Sequence, residues 1–184
     1  MKLIRARAEE WQVDTDHILL HGASAGGHLI GMLGVFWKKE WLAKNLHTSA
    51  DVLRPAGLMF SYPVVTSSEH EGHLGSFCNL LGEDFEKERE HFSLEEQVTG
   101  DTPPSFIWHT ATDETVPVEN SFLLAMALKK AGVPVELHIF PEGPHGLSLA
   151  SPLVERLDGS GVEEGCQCWI KLADAWMKRL CGRE

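Results

Sequence analysis

The chain has 184 residues, of which 43% are hydrophobic and 23% charged, and its formal net charge at pH 7 is -11. These values are typical of a globular protein with enough apolar material for one core, so we expect a single domain over residues 1–184. A net negative charge without a run of Lys and Arg disfavours nucleic acid or an anionic membrane surface as a partner and favours a small-molecule or neutral polymeric substrate.

The sequence carries no obvious membrane or secretion signal. No stretch approaches the roughly 20 apolar residues that cross a bilayer, and no secretory apolar core follows Met1. We therefore expect a cytoplasmic location and no membrane partner. The cysteines are too few and too unevenly spaced for a disulfide framework, so free thiols are expected.

In chain order, the first elements are a helix, a strand and a second helix. Residues Lys2 to about Trp11 have helical spacing, and a turn at residues 13–16 leads into a short apolar strand, His17–His21. Gly22 is predicted to end this strand. From Ser24 to Phe36 a one-sided apolar pattern predicts the second helix.

Two further strands flank a polar segment in the middle of the chain. One is predicted at Gly57–Tyr62, where Pro63 halts it, and the other at Ser105–Thr110, after the paired prolines at 103 and 104. A long acidic insertion separates them.

The C-terminal third predicts a helix, a strand and a final helix. Val116–Ala131 has helical spacing and is followed by Gly132, a residue favoured just past a helix end. Val133–Phe140 reads as a fourth strand, and Cys166–Leu180 as the last helix. The alternation of strands and helices predicts the α/β class, with a mostly parallel sheet of about four strands flanked by helices.

The most informative motif lies between the first strand and the second helix. Gly22-Ala23-Ser24-Ala25-Gly26 matches Gly-x-Ser-x-Gly in the strand-to-helix context of a nucleophile elbow. The sharp turn would strain Ser24, and glycines two residues to either side would allow the chain to pass closely. We predict Ser24 as a nucleophile and the Ala25 N–H as an oxyanion donor, the alternative being a serine that only caps the helix.

A serine nucleophile requires a histidine base and a carboxylate that orients it. Asp113 follows the third strand and His145 follows the fourth, so both are predicted at the carboxyl edge of the sheet with Ser24. The order Ser, Asp, His is the one that accompanies such an elbow. Alternatives remain: a turn carboxylate at Asp113, Glu114 in its place, and a solvated loop histidine at 145.

A metal site has little support in the sequence. The pair His70 and His73 lies in a polar loop and lacks the spacing that places two imidazoles on one helical face. We therefore expect no metal ligand among these residues.

Six segments of the chain together match a known family, residues 24–29, 54–55, 62–64, 113–118, 138–140 and 145–147. They resemble the esterase and lipase group of α/β hydrolases, and within it bacterial acetyl esterases and acetyl-xylan-esterase-like proteins. The resemblance implies a serine-dependent hydrolysis of short-chain carboxylic esters, acetyl esters on sugars included, through an acyl-enzyme and without a metal or organic cofactor.

The chain departs from that group at its start. Members carry several strands before the helix that opens this chain, and one of those strands leads into a His-Gly-Gly-type loop that supplies a second oxyanion N–H. Nothing here matches the loop, so we expect a partial, N-terminally truncated α/β-hydrolase domain. The strand at His17–His21 would then expose an edge, which favours self-association.

Three functions stay open at this stage. The first is the serine esterase. The second is a serine peptidase or lactonase of the same fold, because the fold alone does not select the substrate. The third is a catalytically inactive remnant, since the second oxyanion donor is missing from the sequence.

Overall fold

The computed structural model describes residues 1–182 and contains one sheet of four parallel strands in the order β1-β2-β3-β4. The strands are β1 (Leu19–Ala23), β2 (Gly57–Ser61), β3 (Ser105–Thr110) and β4 (Val135–Phe140). Because all four run in the same direction, their carboxyl ends lie along one edge of the sheet. The predicted α/β class and the count of about four parallel strands are confirmed.

Helices connect the strands and cover the sheet. They are α1 (Lys2–Ala6), α2 (Ala8–Trp11), α3 (Ala25–Phe36), α4 (Glu40–Asn45), α5 (Ala50–Leu53), α6 (Leu74–Leu81), α7 (Phe85–Glu88), α8 (Leu94–Gln97), α9 (Glu119–Lys130) and α10 (Trp169–Leu180). The acidic insertion between β2 and β3 contains three of them, α6, α7 and α8. None of the helices in residues 1–182 is long and apolar enough to span a bilayer.

Three predictions for the N-terminal elements were wrong in detail. The first helix is broken at Arg7, whose ψ of 18° leaves the helical range. The first strand begins at Leu19 instead of His17, because residues 15–17 form a 3-10 turn capped by the side chain of Asp14. Gly22 lies inside β1 and does not end it, since pairing with β2 continues to Ala23 opposite Ser61.

Three later elements begin further along the chain than predicted, so they are shorter. Helix α9 begins at Glu119 instead of Val116, after a turn through Pro117. Strand β4 begins at Val135 instead of Val133, because Pro134 has no N–H to donate to the ladder. Helix α10 begins at Trp169 instead of Cys166, and a 3-10 turn at residues 164–166 precedes it.

The core lies on both faces of the sheet, because β2 and β3 are buried along their whole length. On one face Ile107 belongs to an apolar cluster with Phe60 and Leu128. On the other, Phe106 and Trp108 belong to a cluster with residues of α10. Alternate residues of β3 therefore point to opposite faces of the sheet.

Candidate active site

Ser24 sits at a strained turn between β1 and α3. Its φ of 54° and ψ of -123° lie in a region that L-residues rarely adopt. Four backbone hydrogen bonds hold it: its N–H donates to Ser61 O at 3.0 Å, and its carbonyl accepts from Gly27 at 2.9 Å, Val64 at 3.1 Å and His28 at 3.3 Å. The Ser24 hydroxyl makes no capping bond to α3, so the helix-cap alternative does not describe it.

The glycines of the motif do not share one role. A Cβ at Gly22 would lie 2.2 Å from the carbonyl oxygen of Gly26, which no side chain could tolerate. A Cβ at Gly26 would meet nothing within 4 Å, so the expected crowding at that position was wrong. The second crowded position is Gly27, where a Cβ would lie 2.8 Å from the Cβ of Pro63.

The structure brings Ser24, His145 and Asp113 into one hydrogen-bonded chain. His145 Nε2 lies 2.8 Å from Ser24 Oγ, and His145 Nδ1 lies 2.6 Å from Asp113 Oδ2. A carboxylate only accepts, so Nδ1 carries the proton and Nε2 is left to accept from the serine hydroxyl. This is the arrangement in which a histidine can act as a general base toward a serine.

Asp113 is buried, yet it is held as a carboxylate. Its Oδ1 accepts the backbone N–H groups of Thr115 and Val116, each at 2.9 Å. Burial by itself raises the pKa of Asp113, but the hydrogen bonds from His109, His145 and the Val116 N–H outweigh that effect and hold its pKa well below the usual range. Asp113 is therefore ionised at neutral pH.

Glu114, the competing carboxylate, is exposed, and the partner of His145 Nδ1 is Asp113. The Asp113 side chain is buried, with the N–H groups of Thr115 and Val116 as donors, whereas the Glu114 side chain faces solvent.

The loop that carries His145 is fastened to β3 through Gly143. The Gly143 carbonyl accepts from Thr110 Oγ1 at 2.7 Å and from Thr112 Oγ1 at 3.3 Å, and the Gly143 N–H donates to Thr112 Oγ1 at 2.9 Å. These bonds fix the start of the loop two residues before His145.

A tyrosine beyond the end of β2 also supports the loop that carries His145. Tyr62, with a φ of 38°, follows β2, and its hydroxyl accepts the Ser148 N–H at 2.9 Å. Its ring lies edge-on to His145 with the centroids 5.0 Å apart. The sequence signal for this contact is weak: an aromatic residue between a strand end and a proline.

His109 is a residue that sequence reasoning missed altogether. Its side chain is fully buried near the end of β3, and its Nε2 lies 3.2 Å from Asp113 Oδ2. A histidine inside a buried strand, four residues before the predicted carboxylate, is the signal that would have pointed to it.

Ala25 is exposed and is the first residue of α3. The first N–H groups of a helix have no acceptor within it, so the Ala25 N–H is available beside Ser24.

A cleft of about 490 Å³ opens beside His145. Three carboxylates, those of Glu114, Glu142 and Glu163, are among its lining residues. A larger cavity of about 900 Å³ is lined by residues 66–69, 71, 89–91, 93, 95–97, 119, 122 and 123. None of Ser24, Asp113 and His145 is among its lining residues.

The pair His70 and His73 does not converge on a site. His73 Nδ1 accepts the Ser76 N–H at 3.0 Å at the start of α6, and His70 is exposed. Within the described part of the chain, no three His, Cys, Asp or Glu side chains are grouped as a metal ion would require.

Comparison with known proteins gives consistent matches. The BD-FAE family model matches residues 1–128. Endo-1,4-beta-xylanase B of Butyrivibrio fibrisolvens is 40% identical over 153 residues, which are 82% of this chain and 24% of that protein. Acetylxylan esterase of Xylanibacter ruminicola is 28% identical over 155 residues, covering 82% of this chain and 30% of that protein.

A solved structure extends the match to the fold. The acetyl ester-xyloside bifunctional hydrolase from Caldicellulosiruptor lactoaceticus superposes with a TM-score of 0.80 at 36% identity, covering 100% of this chain and 64% of that one. The chain thus spans less than a third of the two curated relatives and less than two thirds of the solved hydrolase.

Proposed function

Since this chain belongs to the BD-FAE family and has the fold of the alpha/beta hydrolases, we propose that it hydrolyses short-chain carboxylic esters, acetyl esters above all, with Ser24 as the nucleophile. The observation that carries the proposal is the chain of hydrogen bonds from Asp113 through His145 to Ser24, at 2.6 and 2.8 Å. Such a chain activates a hydroxyl that would otherwise be a poor nucleophile at neutral pH.

The reaction proceeds in two halves. In the first, Ser24 Oγ attacks the ester carbonyl while His145 Nε2 takes its proton, and the Ala25 N–H donates to the oxyanion that forms. The tetrahedral intermediate then expels the alcohol, which leaves with the proton from His145, and an acyl group remains on Ser24.

In the second half, a water molecule gives a proton to His145 Nε2 and attacks the acyl carbonyl. Collapse of this second intermediate releases the carboxylic acid and returns the proton to Ser24 Oγ. Asp113 stays ionised throughout and stabilises the imidazolium form of His145 in each intermediate.

For the substrate, we propose acetyl groups on a neutral carbohydrate alcohol. The names of the matched acetylxylan esterase and of the acetyl ester-xyloside hydrolase support an acetyl ester on a sugar. The carboxylates of Glu114, Glu142 and Glu163 around the cleft beside His145 support an uncharged alcohol over an anionic one, because like charges repel in a partly desolvated cleft.

The test is labelling of the purified chain with a fluorophosphonate probe, beside Ser24→Ala, with mass spectrometry of the modified peptide. We expect labelling confined to Ser24, and hydrolysis of p-nitrophenyl acetate and of acetylated xylo-oligosaccharides that is lost in Ser24→Ala. A chain that is folded by circular dichroism and yet takes no label would contradict the proposal. Cleavage of peptide amides in preference to acetyl esters would replace the esterase with a peptidase of the same fold.

A further inference from the structure

A second histidine contacts the carboxylate of Asp113. His109 is fully buried, and each of its ring nitrogens has polar partners. Nε2 lies 3.0 Å from the carbonyl oxygen of Val116 and 3.2 Å from Asp113 Oδ2, and Nδ1 lies 2.8 Å from Ser121 Oγ.

These contacts fix where the proton of His109 resides. The Val116 carbonyl can only accept, so Nε2 must carry a hydrogen, which the Val116 oxygen and Asp113 Oδ2 share. In the neutral ring Nδ1 is then an acceptor, and the Ser121 hydroxyl donates to it. Ser121, on α9, thereby orients the imidazole that faces Asp113.

The contact between His109 and Asp113 differs in its origin from the other contacts of that carboxylate. Oδ1 accepts from Thr115 and Val116, whose N–H groups belong to the same loop as Asp113. Oδ2 meets His145, which belongs to the loop after β4. Of the partners that the carboxylate has within residues 1–182, only His109 belongs to a strand of the sheet, because it lies within β3.

We propose that His109, oriented by Ser121, is a positioning residue that holds the Asp113 carboxylate in the orientation in which Oδ2 meets His145 Nδ1. The proposal rests on the function proposed above, in which Asp113 orients His145. His109 itself touches neither the substrate nor the reacting atoms.

The test compares two substitutions at residue 109 with one at its partner. His109→Phe fills the space with a ring that has no donor, and His109→Gln keeps a side-chain N–H that can reach the place of Nε2. Ser121→Ala removes only the group that orients the imidazole. It therefore replaces His109→Phe as the test variant if His109→Phe does not fold.

Thr102→Val is the matched control. Thr102 is buried, and its Oγ1 accepts the Thr99 N–H at 3.1 Å. It lies before β3, at the opposite end of the sheet from the site, so its loss removes one buried hydrogen bond without touching Asp113.

The first readout is the rate of fluorophosphonate labelling of Ser24, together with kcat and KM for an acetyl ester. Hydrogen bonds to charged groups contribute about 1.5–3 kcal/mol, a factor of about ten to a hundred in rate. We expect kcat and the labelling rate to fall by about that factor in His109→Phe and by less in Ser121→Ala, with KM nearly unchanged. His109→Gln should recover most of the loss, and Thr102→Val should match the wild type.

The second readout does not depend on activity. Long-range ¹H–¹⁵N spectra of the imidazoles should show His109 protonated at Nε2 and His145 protonated at Nδ1 in the wild type. In His109→Phe and Ser121→Ala we expect the His145 Nδ1–H resonance to broaden or shift, and in Thr102→Val to stay in place.

The outcomes separate the two proposals. If Ser24 is not labelled in the wild type, the esterase proposal fails, and the imidazole spectra alone decide whether His109 positions Asp113. If Ser24 is labelled, and folded His109→Phe or Ser121→Ala keeps both the wild-type rate and the wild-type His145 resonance, the role of His109 is overturned. Equal losses in His109→Phe and Thr102→Val would also overturn it, because they would indicate general destabilisation.

Discussion

At the scale of single residues, the proposed chemistry depends on charges that are placed before any substrate arrives. Asp113 is a buried carboxylate whose oxygens accept from two backbone N–H groups and two imidazoles. This environment explains why its pKa lies below the usual range although burial opposes ionisation. A carboxylate so held orients His145 at every pH at which the imidazole can act as a base.

The same pKa shift predicts how stability depends on pH. The folded-state pKa of Asp113 lies below the unfolded value of about 3.9, so Asp113 contributes stability above about pH 4 that is lost as the pH falls through the folded pKa. Asp113→Asn should be less stable than the wild type at pH 7, and the gap in the free energy of unfolding should narrow below about pH 4. Urea unfolding at a series of pH values measures this.

Glu114→Gln is the control for that measurement. Glu114 is the next carboxylate in the chain and is exposed, so its loss should change the free energy of unfolding by less than about 0.5 kcal/mol. If the difference in the free energy of unfolding between the wild type and Asp113→Asn stays constant from pH 7 to pH 3, that result contradicts the depressed pKa of Asp113.

At the scale of elements, the turn from β1 into α3 is set by close backbone contact. Gly22 lies against the Gly26 carbonyl and Gly27 against Pro63, whereas Gly26 itself faces open space. The two crowded glycines of the turn are therefore not the two symmetric glycines of the motif. One of them lies inside the strand, and the other lies in the helix one residue after the second glycine of the motif.

Two alanine substitutions distinguish these positions. Gly22→Ala should cost more than about 2 kcal/mol in the free energy of unfolding, since its Cβ would overlap backbone that cannot move aside. Gly26→Ala should be neutral or stabilising by up to about 1 kcal/mol, because alanine is favoured over glycine in a helix. Denaturant titration of both variants is the check. Equal destabilisation by the two substitutions would contradict the open space around a Cβ at Gly26.

At the scale of the whole molecule, β1 is an edge strand. Within residues 1–182 it pairs with β2 alone, and its other backbone edge has no strand beside it. Such an edge can add a strand from another chain. We therefore propose, as the sequence suggested, that the chain associates with a second copy of itself through β1.

Sedimentation equilibrium at several micromolar concentrations measures this association. We expect masses above that of the monomer, 20.4 kDa, which persist at high salt because backbone pairing is screened less than contacts between surface charges. A net charge of -11 makes association driven by charge alone unfavourable. A single monomer mass at all concentrations would rule out the edge contact.

The sequence by itself determined the class of the fold and the identity of the three residues of the candidate active site. Apolar runs separated by helical patterns predict a parallel sheet, and parallel strands bring their carboxyl ends to one edge. Ser24, Asp113 and His145 each follow such a strand, so their meeting could be predicted from order and spacing alone.

Only the tertiary structure decided the features that depend on contacts between distant segments. The neighbour of Gly27 is Pro63, and the partner of the His145 loop is Tyr62, pairs that no local pattern relates. His109 reads as a core residue of β3 until the fold places Asp113 and Ser121 on either side of its ring. The physical reason is that periodicity reports which face of an element is buried, whereas a hydrogen bond depends on which atoms the packed chain brings within about 3 Å.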